Sequence, residues 1–248
     1  MTPTTCKRHT VEFFATLTLV IATAFVHKTA LSAEEPRSTV SILVDLSETW
    51  HNEQSKLANQ KILQTVAEGV TELGRLLRPP VHIRMLPIGD ASLLRPPLCE
   101  ALYDPKLISS APKDTRVFTQ EKPLLKYLKV DCVLFILSRP KEKFTDISGA
   151  IDSASRFASI QAGADRILII LSDMLEELPI NVTAANISLP TFRSLILYRT
   201  LNDDRKNPSL LDKRLNEWKA KIGSAGSEIT MIPDEGVVSG QIVRLLRR

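Results

Sequence analysis

Three stretches of the chain place oxygen-bearing side chains where they could do chemistry. In Ser41–Thr49 an apolar run, Ile42-Leu43-Val44, leads into Asp45, and Ser47 and Thr49 follow at alternate positions. A short apolar run ended by an acid reads as a buried parallel strand that delivers a carboxylate to the carboxyl edge of a sheet. That edge is where open α/β sheets place their ligands. Asp45, Ser47 and Thr49 all offer oxygen, which suits a hard cation such as magnesium better than a soft one. The second stretch, Phe144–Ile151, puts Thr145 in a turn at the start of an apparent helix. The third, Arg166–Asp173, is another apolar strand, and it ends in Ser172-Asp173. A purely structural reading stands beside the metal one. An Asp at a strand end can cap the next helix, and Ser47 or Thr49 can do the same through the free amides of its first turn.

Together the three stretches resemble the von Willebrand factor A domain and its metal-ion-dependent adhesion site. That pattern is Asp-x-Ser-x-Ser after the first strand, a Thr in a second loop and an Asp after the fourth strand. Here the matching residues are Asp45, Ser47 and Thr49, then Thr145, then Asp173. The third position departs from the pattern, since Thr49 keeps the hydroxyl but adds a methyl that needs room. The gap from the first motif to Thr145 is also longer than is common in the family. The resemblance runs from about residue 38 to the end, with its parts in the right order. It implies a doubly wound, mostly parallel α/β sheet flanked by helices, in which strands one and four are neighbours. It also implies a divalent cation, Mg2+ or Mn2+, held by Asp45, Ser47, Thr49, Thr145 and Asp173, some directly and some through water. A protein partner would complete the metal shell with an acidic residue. Both aspartates ionised would give the site about −2, and without an ion such a pair repels and raises one pKa.

Enzyme readings find less support. A strand ending in Asp also opens the haloacid-dehalogenase phosphatases, but their second acid, two residues on, is replaced here by Ser47. The chain has no Gly-x-Ser-x-Gly elbow, no phosphate-cradling Gly-x-x-x-x-Gly-Lys loop and no Gly-x-Gly-x-x-Gly fingerprint. His51 and His82 sit in no hydrolase motif, and His51 reads as a surface residue at a helix start. The reading is therefore an exported, metal-dependent protein-binding module rather than an enzyme. The alternatives are a metal-independent structural subunit of an exported complex and a metal-dependent phosphohydrolase.

The elements that must position these groups are preceded by a targeting pattern. Lys7, Arg8 and His9 form a basic start, Phe13–Val26 an apolar core, and Ala30-Leu31-Ser32-Ala33 a small-residue cleavage site. This reads as a signal peptide over 1–33, with an uncleaved anchor as the alternative. The remaining residues, 34–248, read as a single soluble domain, periplasmic in a bacterium and otherwise secreted. Losing Lys7, Arg8, Lys28 and Glu12 takes the formal net charge from +4 to +2. Such a balance makes no case for nucleic-acid binding. Hydrophobic content of 44% is ample for a core, and with few aromatics that core is expected to be Leu, Ile, Val and Ala. Cys99 and Cys132 remain as an even pair in an oxidising compartment, either bridged or two buried thiols. No second pair of Cys or His lies near enough to suggest zinc.

From Trp50 to Arg78 the spacing of Leu57, Ile62, Val66, Val70, Leu73 and Leu77 predicts a helix, stopped by Pro79-Pro80. Val81–Ile88 reads as a strand. Residues 89–123 read as a long loop or insertion in which Leu98–Tyr103 forms a short edge strand; such a loop is either a binding surface or a tolerated insertion. Leu124–Ser138 fits a strand by its apolar run and a helix by the spacing of Leu125, Leu128, Cys132 and Phe135; we read it as a helix. Helix is predicted again over Ser148–Ala162, with Gly163 as its stop, then a central strand over Ile167–Leu171. Met174–Phe192 reads as a loop carrying Glu176 and Glu177 near the site and two glycosylation sequons, at Asn181 and Asn186. A strand over Arg193–Arg199, a helix over Leu210–Ile222, a strand over Ile229–Ile232 and a helix over Gly240–Leu246 complete the alternation that marks a parallel sheet covered on both faces.

Overall fold

The computed structural model describes residues 37–50, 55–107, 116–160, 165–185, 187, 191–223 and 226–247. The targeting pattern, His51, Gly163 and the sequon at Asn186 lie outside the described residues.

The chain opens with β1 (Ser38–Asp45), α1 (Lys56–Gly74) and β2 (Val81–Ile88), followed by a single 3-10 turn and β3 (Cys99–Tyr103). Next come β4 (Val117–Phe118), α2 (Glu121–Lys126), a π-helical stretch (Tyr127–Cys132) and α3 (Val133–Leu137), the last three forming one continuous helical run. Then follow α4 (Ile147–Ile160), β5 (Asp165–Ser172), β6 (Arg193–Tyr198), α5 (Asn202–Lys206), α6 (Pro208–Gly223), β7 (Glu228–Pro233) and α7 (Ser239–Leu246). The strands form one seven-stranded sheet in the order β4-β3-β2-β1-β5-β6-β7. Every neighbouring pair is parallel except β2 and β3. This is the doubly wound, mostly parallel α/β architecture expected from the sequence.

β1 and β5 are the centre of the sheet, paired in register from Ser38↔Asp165 to Val44↔Leu171. Their near-continuous apolar runs follow from burial on both faces. Successive side chains alternate between two cores. Val40, Ile42 and Val44 join α1, the π-helical run and α7 on one face, while Leu43, Leu168 and Ile170 join α4 and α6 on the other. At Gly69 of α1 a Cβ would stand 3.1 Å from Ile242, so the missing side chain lets α1 and α7 pack closely.

Three local expectations need correction. The first helix starts at Lys56, not near Trp50, so Leu57 falls in its first turn and is 81% exposed rather than in the core. Leu124–Ser138 is helical, but the wider π turn shifts its inner face: Leu124, Leu128, Cys132, Val133 and Ile136 are buried and Phe135 is 45% exposed. β3, expected as the edge strand, pairs antiparallel with β2, but the two-residue β4 lies outside it and forms the edge. Cys99 and Cys132 are joined by a disulfide that ties β3 to the π-helical stretch. Among the described residues no helix is long and apolar enough to cross a membrane.

Candidate functional site

Because β1 and β5 are adjacent and parallel, Asp45 and Asp173 emerge side by side at the carboxyl edge of the sheet. Both are fully buried. Ser47, 3% exposed, turns back on the strand end: its backbone N–H donates to Asp45 Oδ1 at 2.8 Å. Its hydroxyl lies 3.0 Å from that of Thr49. Thr49 in turn donates to Asp173 Oδ2 at 2.7 Å. The hydroxyls predicted from the first motif thus connect it to the carboxylate of the third. Asp173 Oδ1 accepts the Leu175 N–H at 2.9 Å, which closes the turn after β5.

Thr145 reaches the same edge on the segment that leads into α4. Ser47 and Glu142 form an isolated parallel bridge, with the Glu142 N–H donating to the Leu46 carbonyl at 2.9 Å. Thr145 itself is 2% exposed and exchanges two backbone hydrogen bonds with Glu177, at 2.7 and 3.1 Å. Glu176 and Glu177, expected near the site, serve these loops. Glu177 pairs through its backbone with Thr145. Glu176 Oε1 accepts the Ser148 N–H at 2.6 Å at the start of α4, where the dipole favours an acid. Asp146 adds a second cap, accepting N–H groups from Gly149 at 2.8 Å and Ser92 at 3.0 Å. Glu142 is ion-paired with Arg95 and accepts the Asp90 N–H at 2.7 Å. At Gly89 a Cβ would meet the end of the Glu142 side chain, so a larger residue there would have to push that carboxylate aside.

Charge at the edge is unbalanced. Burial first, and the charge of Asp173 second, push the Asp45 carboxyl up to about 7, against hydrogen bonds from Ser172 and Ser47. Burial likewise raises Asp173; Arg214 opposes this from a distance, being bonded to Asp204. Among the described residues, no Lys or Arg side chain is seen hydrogen-bonded to either carboxylate. Among the described residues, no group of three or more His, Cys, Asp or Glu side chains is arranged to hold a metal ion. A cation at this edge would have two carboxylates, neighbouring hydroxyls and water as donors. That all-oxygen set fits a hard divalent ion and is unsuited to a soft one.

Sequence reasoning passed over two groups. Ser172 was visible as the residue before Asp173, but its hydroxyl donates to Asp45 Oδ2 at 2.6 Å, a bond that only pairing of β1 with β5 creates. Arg199, just past β6, donates to Asn59 Oδ1 at 2.6 Å, to the Trp50 carbonyl at 3.3 Å and to Asp234 Oδ2 at 2.6 and 3.0 Å. It braces the chain directly after Thr49, and no local pattern announces it.

The strand order and the meeting of the three motif-bearing loops at one edge match what the resemblance implied. The fold is of the von Willebrand factor A type. No protein-family profile matches the sequence, and no curated protein matches it significantly. Among solved structures, the chain is similar to an aerotolerance-related membrane protein from Bacteroides fragilis, at 14% identity and a TM-score of 0.42, over 84% of this chain and 96% of that one. It is similar to a von Willebrand factor type A protein from Catenulispora acidiphila, at 10% identity and a TM-score of 0.41, over 86% of this chain and 41% of that one. It is also similar to proximal thread matrix protein 1 of the mussel byssus, whose adhesion-site motif is occupied by zinc in that structure, at 10% identity and a TM-score of 0.42, over 86% and 47% of the two chains.

Proposed function

We propose that this chain is an exported protein-binding module that holds one divalent cation, Mg2+ or Mn2+, at the carboxyl edge of its sheet. The ligands are Asp45, Ser47, Thr49, Thr145 and Asp173, some direct and some through water. The observation that carries the reading is the pair of buried carboxylates, Asp45 and Asp173, linked through Thr49 and Ser47 with no cationic side chain bonded to either among the described residues. Two such charges need compensation, by a proton or by a metal ion. A cation bound there supplies a Lewis-acidic position that an acidic side chain of a protein partner completes. The protein's own part is to orient the oxygens, bury them and keep the surrounding loops in place.

Export is supported by the targeting pattern at the start of the sequence and by the Cys99–Cys132 disulfide, which suits an oxidising compartment. Residues 1–33 are read as the signal peptide and 34–248 as one domain. No substrate chemistry is assigned. A metal-independent structural subunit is the second reading, favoured by how fully the site's hydrogen bonds are already closed within the protein.

The test is affinity capture from the native extracytoplasmic fraction with the wild-type chain and Asp45→Ala, each in magnesium and in chelator. The reading expects a partner held by wild type in magnesium and lost in both other conditions. A partner retained by Asp45→Ala and in chelator would replace it with the metal-independent reading.

A further inference from the structure

We infer that Ser172 is a positioning residue that sets the cation preference of this edge by locking the Asp45 carboxylate. The inference rests on the metal reading above. Ser172 is the last residue of β5 and is fully buried. Its oxygen accepts the Met174 N–H at 2.9 Å, and its hydroxyl donates to Asp45 Oδ2 at 2.6 Å. A hydroxyl has one proton. With an amide already donating to the oxygen, that proton is directed to Asp45.

The amide that orients Ser172 is itself held. Met174 is buried, has a left-handed backbone at φ 61° and receives the Trp218 indole N–H on its carbonyl at 2.9 Å. From the other side the Ser47 N–H donates to Asp45 Oδ1 at 2.8 Å. Each oxygen of Asp45 therefore carries one fixed donor, and the two donors come from different segments of the chain. The carboxylate plane is set by the protein before any ion arrives. Its remaining lone pairs point where β1 and β5 dictate, and Ser172 acts through Asp45 without being a ligand.

A locked carboxylate discriminates between ions by size. Magnesium demands near-octahedral geometry at about 2.0–2.1 Å, whereas calcium accepts six to eight oxygens at about 2.3–2.6 Å and tolerates irregular shells. Removing the Ser172 hydroxyl frees Asp45 to turn and to engage a larger ion with both oxygens. Outer-shell partners of this kind are typically worth about 10–100-fold in metal affinity.

The experiment titrates the chelator-stripped full chain with magnesium alone and with calcium alone, by calorimetry, for wild type, Ser172→Ala and Ser172→Thr. Metal-free thermal melts run alongside to verify folding. The expected result is a magnesium affinity about tenfold lower in Ser172→Ala, a calcium affinity changed by less than about threefold, and wild-type behaviour in Ser172→Thr. If the alanine variant does not fold, Ser172→Val against Ser172→Thr makes the same comparison at matched volume. Equal losses for both ions, or no loss for either, would overturn the role of Ser172 while leaving a metal site in place. Wild type binding neither ion would remove the metal reading itself.

Discussion

Thr49 donates its hydroxyl to Asp173 Oδ2 at 2.7 Å, across 124 positions of sequence. The bond joins the first and third parts of the motif directly, and it explains why a Thr can stand where the family pattern has Ser. The oxygen is in place, and the residue is exposed, so its methyl has room. Thr49→Ser is expected to leave magnesium affinity within about twofold. Thr49→Val keeps the shape, removes the donor and is expected to lower affinity at least about tenfold, at a cost of about 1 kcal/mol in stability without metal. Calorimetric titration and a denaturant melt of the two variants check both statements.

Cation binding is expected to release protons. Asp45 is raised from 3.8 to about 7, by burial first and by Asp173 second. The folded state thus binds a proton on Asp45 more tightly than the unfolded state does. That contribution to stability is fully present below about pH 4 and is lost as pH rises through about 7. A divalent ion competes with this proton, so magnesium affinity is expected to increase from pH 6 to pH 8 and to flatten above that. Titrations in two buffers of different ionisation enthalpy measure the proton released per ion. Affinity independent of pH over this range would contradict the assignment.

Arg199 is expected to matter for the loop after Thr49 out of proportion to its distance in sequence. Its side chain is 15% exposed and that of its partner Asp234 5%, so the pair is largely buried. Burial already raises Asp234 despite the guanidinium beside it. Arg199→Ala leaves that carboxylate uncompensated and strips one donor each from Asn59 and the Trp50 carbonyl. A loss of about 3–5 kcal/mol is expected from breaking a buried pair by removing one partner. Trp50 is fully buried, and Arg199 sits over its ring at 4.9 Å. Tryptophan fluorescence is therefore expected to shift to the red in the variant as water reaches the ring.

The disulfide closes a loop of 33 residues between β3 and the π-helical stretch. Chain-entropy arguments give a bridge of that span about 3–4 kcal/mol. Cys99→Ala with Cys132→Ala is expected to lower the denaturant midpoint accordingly. Reducing agent is expected to shift the wild type to the same midpoint and to leave the double variant unmoved.

Legibility in the sequence followed the physics of each element. β1 and β5 were plain because strands buried on both faces must be apolar throughout, and an Asp ending each run stands out against that background. Helical and strand readings of Leu124–Ser138 competed because Val133–Leu137 is uniformly apolar; the π turn also breaks the period that would have separated them. β4 has two residues and α5 five, too few for any periodic signal. Leu57 was misplaced because spacing cannot say where a helix begins. At the site, the residues proposed as ligands stand out by motif spacing. The roles of Ser172 and Arg199 do not, since each depends on a partner that only the folded sheet brings near, 127 residues away for Asp45 and 140 for Asn59.

The central claim is that Asp45 and Asp173 together hold one divalent cation. Its most direct test is calorimetric titration of the chelator-stripped chain with magnesium and manganese, alongside Asp45→Ala and Asp173→Ala, with metal-free melts to establish folding. The account predicts saturable binding of about one ion to the wild type and its loss in both folded variants. No saturable binding by the wild type, or binding that survives in either variant, would contradict it.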